Sequence, residues 1–170
     1  MILVDTSVWI DHLRVGDPKL GSLLQDGHVL THPCVIGELA LGQLSHRSEI
    51  LGLLGNLPRA RTATDAEVLH LVENRHLFGL GIGYVDAHLL AATLLTADAR
   101  LWTSDKRLAM AAAPGHRDRG PQSGVELPAE LLDQALLVLH DVDVPLSDQD
   151  LTVTWLHPQE AHEEILRPGR

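Results

Sequence analysis

The chain is poor in cysteine, in basic charge and in long apolar runs, and each scarcity closes off a class of protein. A lone Cys34 in 170 residues rules out an internal disulfide, which suits a reducing compartment. Cys34 follows a proline and opens an apolar helical stretch, so it reads as a small core residue and not as a nucleophile. No apolar run approaches the roughly 18 residues needed to cross a bilayer. The N-terminal MILVDTSVW has no basic leader and meets an acid at Asp5, so a buried strand is expected there and not a signal peptide. Together these point to a cytoplasmic protein with no membrane partner. Eleven histidines are present, yet there is no HExxH and no Cys/His zinc spacing. Asp86 and His88, two apart on a predicted helix, point to different faces, so His88 is expected at the surface or behind the site. Gly79, Gly81 and Gly83 do not make GxGxxG and follow a helix, so they form a turn and not a dinucleotide site. Asp5-Thr6-Ser7 lacks the second acid two positions on that an aspartyl-phosphate phosphatase needs.

The shortage of base is uneven. With 13 Lys and Arg against 23 Asp and Glu, the net charge is −10. Residues 1–113 hold 9 basic and 12 acidic side chains, net −3, while residues 114–170 hold 4 and 11, net −7. Acidity on this scale argues against tight, non-specific nucleic-acid binding. It does not argue against a site where a bound cation supplies the missing positive charge.

A hydrophobic content of 45% is ample for one ordinary domain with a core. Ile2-Leu3-Val4 reads as a buried strand ending at Asp5, with Thr6 and Ser7 able to cap a helix over about 7–14. Gly16-Asp17-Pro18 breaks it, and a second short helix runs to about Asp26. His28–Thr31 suggests another strand; Val35–Leu44 has helical apolar spacing, and 48–54 adds a turn or two. Thr64-Asp65-Ala66-Glu67 is a capping box before a helix that ends near Gly79. Tyr84–Thr96 is a strong helix, Leu101–Thr103 a strand and Asp105–Ala113 a closing helix. Strands alternating with helices predict an α/β fold, a parallel sheet flanked by helices on both faces. Trp9 and Trp102 read as core anchors, and the leucine pairs at 23–24, 53–54 and 89–90 as ordinary core.

Four acids fall at the tips or starts of these elements: Asp5, Glu38, Asp86 and Asp105. In open parallel sheets ligands bind beyond the carboxyl ends of the strands, where Asp5 and Asp105 stand. Gathered carboxylates repel one another and would take up a proton unless a cation offset the charge. A set made only of oxygens favours Mg²⁺, or Mn²⁺, over zinc. Such an ion activates a bound water for attack on phosphorus and stabilises the leaving oxygen. The plainer alternative stays open: Asp5, Asp86 and Asp105 cap their helices, and Glu38 is merely solvated.

These segments carry a resemblance. MILVDTSVWIDHLR, GELALG (37–42), GIGYVDAHLLAA (81–92) and LWTSDKRL (101–108) resemble, in order and spacing, the PIN-domain ribonucleases, specifically the VapC-like toxins of toxin–antitoxin pairs. The resemblance covers residues 1–113. It implies a PIN-like fold and an Mg²⁺-dependent endoribonuclease acting on structured RNA such as tRNA or rRNA, leaving a 5′-phosphate and a 3′-hydroxyl. It implies a VapB-like antitoxin partner and a homodimer. It assigns metal binding to Asp5, Glu38 and Asp86, and to Asp105 often through water. Thr6 and Thr103 match hydroxyls that orient the acids or the scissile phosphate, while Ser104 and Lys106 lie near enough to touch RNA. Two other functions remain open, a catalytically idle PIN-like binding module and an RNA-processing nuclease outside any toxin–antitoxin pair.

Around residue 114 the composition changes. Residues 114–124 are rich in turn formers and read as a linker, and PAELLDQALLVLH (128–140) has the spacing of an amphipathic helix. The family's toxins usually close soon after the helix that begins at Asp105, so 114–170 is an atypical acidic C-terminal extension. Three readings of it stand side by side: a weakly folded appendage, a lid in which acids and Arg117/Arg119 imitate an antitoxin segment, and the product of a shifted reading frame.

Overall fold

Three short parallel strands organise residues 1–113, the part of the chain that the computed structural model describes. β1 (Ile2–Val4) is central, with β2 (Val29–Leu30) on one side and β3 (Arg100–Trp102) on the other. Ile2 pairs with Val29 and Arg100, Leu3 with Leu30 and Leu101, and Val4 with Trp102. A parallel strand covered on both faces is apolar throughout, and all three β1 side chains are buried. One further parallel bridge, Thr31 to Arg59, extends the pairing beside β2. No sequence signal announced it, because Arg59 lies in an irregular stretch after Pro58.

Between β1 and β2 run α1 (Thr6–Val15) and α2 (Pro18–Gln25). Between β2 and β3 run α3 (Pro33–Leu41), α4 (Arg47–Asn56), α5 (Asp65–Asn74) and α6 (Tyr84–Leu95), and α7 (Lys106–Ala112) follows β3. The first crossover steps away from β1 in one direction and the second returns past it in the other. Right-handed connections of opposite step place their helices on opposite faces of the sheet. The reversal also opens a crevice outside the carboxyl end of β1.

The local chemistry explains most boundaries. Asp17 Oδ1 accepts from the amides of Lys19 (2.8 Å) and Leu20 (3.2 Å), and Pro18 opens α2 where its missing N–H costs nothing. The Thr64–Glu67 capping box forms as expected: Thr64 N donates to Glu67 Oε2 (2.7 Å) and Glu67 N to Thr64 Oγ1 (3.3 Å). Several details differ from the sequence reading, among them α5, which ends at Asn74 and not near Gly79. Asp5, not Thr6 or Ser7, is the N-cap of α1. α3 stops at Leu41, because Gly42 turns extended and its amide bonds back to Leu39. Trp9 and Trp102 are buried core anchors, as are Leu23, Leu54 and both Leu89 and Leu90, but Leu53 is 63% exposed. The predicted 128–140 helix, Arg117 and Arg119 lie outside the described residues.

Candidate active site

Asp5 follows directly from β1, and the sheet fixes it. Its amide donates to Trp102 O (2.9 Å), so the β1–β3 ladder continues one residue past the strand. The side chain is 5% exposed. A buried carboxylate needs donors, and Asp5 Oδ2 has three: Ser7 Oγ (2.5 Å), Thr103 Oγ1 (2.8 Å) and Ser7 N (3.4 Å). These three donors all converge on the same oxygen, Oδ2. Ser7 Oγ also accepts from the Ser104 amide (3.1 Å), so the first helix and the third strand are tied at one point.

Thr103 works in both directions. Its hydroxyl donates to Asp5 and accepts from the Asp105 amide (2.9 Å). Asp105 is exposed and caps α7, its Oδ1 accepting from Arg107 N (2.7 Å). Glu38, exposed in the second turn of α3, accepts from Thr6 Oγ1 (2.6 Å), which ties it to the residue beside Asp5. Asp86 sits in the first turn of α6, half-buried, and its Oδ2 accepts from the Gly83 amide (2.7 Å). Asp5, Asp86 and Asp105 therefore all stand at helix N-termini, where the peptide dipoles favour negative charge. The capping expected of Asp5, Asp86 and Asp105 is present, and it does not exclude a shared site.

The electrostatics tie the four acids together. Asp86 is held above the ordinary carboxylate range, first by burial and then by the negative charges of Asp5, Asp105 and Glu38, against the opposing Gly83 hydrogen bond. Charge interaction of that kind requires proximity. Among the described residues, no three His, Cys, Asp or Glu side chains are grouped tightly enough to hold a metal ion as they stand. The all-oxygen donor set nonetheless fits a hard divalent ion such as Mg²⁺, which is bound through one or two carboxylates and keeps several waters.

Three residues were not singled out for the site in the sequence. Ser7 holds Asp5, Gly83 holds Asp86, and Arg107 crosses the Gly79–Gly83 turn. The first had a visible signal: Asp5-x-Ser7 and Thr103-x-Asp105 are matching acid–hydroxyl pairs two residues apart, a spacing that favours local side-chain bonds to the backbone. Gly83 and Arg107 had none, because their roles depend on a turn that packs across sequence distance. His88, expected at the surface or behind the site, is not at the surface. It is buried at 8% exposure, with Nε2 3.5 Å from Asp65 Oδ1 and its ring edge-on to Tyr84. Beside it, His32 is fully buried and pushed down to about 4, by burial and then by His88, so it is neutral at pH 7. Neither ring joins the acids. Ser104 engages Ser7 through its amide, and Lys106 is exposed at the start of α7.

Residues 2–114 match the model of the PIN domain. Two curated relatives, Ribonuclease VapC32 of Mycobacterium tuberculosis strain CDC 1551 / Oshkosh and of strain ATCC 25618 / H37Rv, are each 50% identical over 131 residues, which is 77% of this chain and 99% of theirs. The chain belongs to the PIN-domain family, among its VapC-like members.

Proposed function

We propose that this chain is a divalent-metal-dependent endoribonuclease, the toxin of a toxin–antitoxin pair, cutting structured RNA such as tRNA or rRNA. The observation that carries the reading is the surroundings of Asp86, whose pKa is raised first by burial and then by the charges of Asp5, Asp105 and Glu38, beside an Asp5 that Ser7 and Thr103 hold at the end of β1. The likeness to Ribonuclease VapC32 supports RNA as the substrate.

Asp5, Glu38 and Asp86 would hold Mg²⁺, or Mn²⁺ in its place, with Asp105 reaching it through water. Such an ion supplies water that deprotonates near neutral pH and positive charge for the leaving oxygen. The protein's own part is positional. Ser7 and Thr103 lock Asp5 by one oxygen, Thr6 orients Glu38, and the Gly83 amide orients Asp86. Fixing the acids in advance spares the reaction that reorganisation. Ser104 and Lys106 stand where an RNA strand would pass. A VapB-like antitoxin, a homodimer and a cytoplasmic setting complete the proposal.

The test is cleavage of total RNA by the purified chain. Activity that requires Mg²⁺ or Mn²⁺, stops with EDTA and returns with excess metal supports the reading. RNA binding without cleavage at any metal concentration would make the chain an idle binding module. A small gene directly upstream whose product blocks cleavage would establish the toxin role over housekeeping RNA processing.

A further inference from the structure

Asp86 owes its placement to a turn that begins well before it. Gly79 and Gly81 both have positive φ, +75° and +73°, a region in which only glycine is unstrained. The turn delivers the Gly83 amide to Asp86 Oδ2 at 2.7 Å. Glycines make this segment pliable, and something outside it must choose its shape.

That something lies on α7. Arg107 Nη1 donates to Gly81 O (3.3 Å), and the guanidinium stem runs along the face of Gly81 so closely that a Cβ there would meet Arg107 Cδ and Nη1 at 3.3 Å. The root of Arg107 is itself anchored, since its amide donates to Asp105 Oδ1 (2.7 Å). A continuous chain of contacts thus runs from Asp105 through Arg107 and Gly81 to Gly83 and Asp86. The contact that links Arg107 to this segment is the one with Gly81.

We propose that Arg107 is a positioning residue: it latches the Gly79–Gly83 turn and thereby fixes the Asp86 carboxylate. The proposal rests on Asp86 belonging to the metal-binding acids. At position 81 the positive φ strains any other residue, and an added Cβ would press on the arginine.

Two readouts on the full chain test it. In metal-free protein, the Gly83 amide should exchange with solvent several-fold faster in Arg107→Gln than in wild type, while the Glu67 amide in its separate capping box keeps its rate. Gly81→Ala should do the same from the other side, and the double variant should exchange no faster than the worse single one, as expected when two changes break one contact. In calorimetry, Arg107→Gln should weaken Mn²⁺ binding by about tenfold, the usual cost of losing an outer support of a ligand. An unchanged Gly83 exchange rate overturns the latch, whatever the metal does. RNA binding is then measured in the Asp86→Asn background. There Arg107→Gln should leave affinity and its salt dependence unchanged. A weaker affinity with the salt slope reduced by about one would make Arg107 a phosphate contact and overturn the positioning role. If wild type takes up Mn²⁺ no better than Asp86→Asn while Gly83 exchange responds as expected, the latch stands and the metal assignment of Asp86 fails.

Discussion

Asp5 and Asp86 act on each other through their charges and are held in opposite ways. Asp5 extends a central strand, is nearly sealed from water, and receives three donors from two neighbouring elements. Asp86 starts a helix after a glycine turn, is half-buried, and receives one backbone donor. Burial raises the energetic cost of a lone carboxylate in both places. At Asp5 that cost is offset by buried hydroxyls. At Asp86 it is met less fully, and the carboxyl holds its proton more tightly. The strand end is a built-in fixture, and the helix start is an adjustable one.

The contrast is broken most severely by neutralising the fixture. Asp5→Asn should reduce cleavage beyond detection, by more than the roughly 100-fold that loss of an outer support typically costs. The fold should survive, because the Ser7 and Thr103 hydroxyls can rotate to accept from the new amide. Unfolding midpoints within a few degrees of wild type, with no RNA cleavage, are the expected result; wild-type cleavage would remove Asp5 from the site.

Next in size is Thr103→Val, which keeps the shape and deletes the hydroxyl with its bonds to Asp5, Asp105 and Ser7. Cleavage should fall by about 10- to 100-fold, in line with losing an outer partner of a ligand. Stability should fall by about 1–3 kcal/mol, since the Asp5 carboxylate and the Asp105 amide each lose a buried or half-buried partner. Chemical denaturation and single-turnover cleavage measure the two effects separately. The same deletion at Thr6, whose partner Glu38 is exposed, should cost less on both counts.

The two halves of the comparison were also unequally legible from sequence. An apolar triplet ending in an acid leaves few choices: Ile2-Leu3-Val4 must be buried, so Asp5 must lie at a strand tip. The Thr64 capping box and the α6 helix were equally plain, because periodicity and local caps are properties of neighbours in the chain. The support of Asp86 was not. Glycines at 79, 81 and 83 show that a turn exists but not what it packs against, and Arg107 lies on another element. His88 was left between the surface and a place behind the site for a related reason. Its burial comes from Tyr84, Asp65 and His32 on three different segments, none of which predicts the others. Sequence placed the four acids at element ends; their hydrogen-bond partners depended on packing between elements.

The smallest expected effect sharpens the comparison most, because it reads the strain at Asp86 directly. In the unfolded chain Asp86 ionises in the ordinary carboxylate range, while in the metal-free fold its pKa is raised. The folded state therefore carries a penalty for the charge that is fully present above the folded pKa and disappears as pH falls through and below the unfolded value. Asp86→Asn should accordingly be more stable than wild type at pH 7 without metal, and the advantage should shrink steadily toward pH 4. His32 also titrates over this interval, losing stability as pH falls from its unfolded value near 6.5 toward about 4, but it is common to both proteins and cancels in the difference. Adding Mn²⁺ at pH 7 should reverse the order, since an ion that binds only the folded wild-type acids stabilises that protein alone. Denaturant titrations of the pair, with and without metal, measure all of this. If Asp86→Asn is less stable than wild type at pH 7 in EDTA, the carboxylate is not under pressure from its neighbours, and the four acids do not share a field.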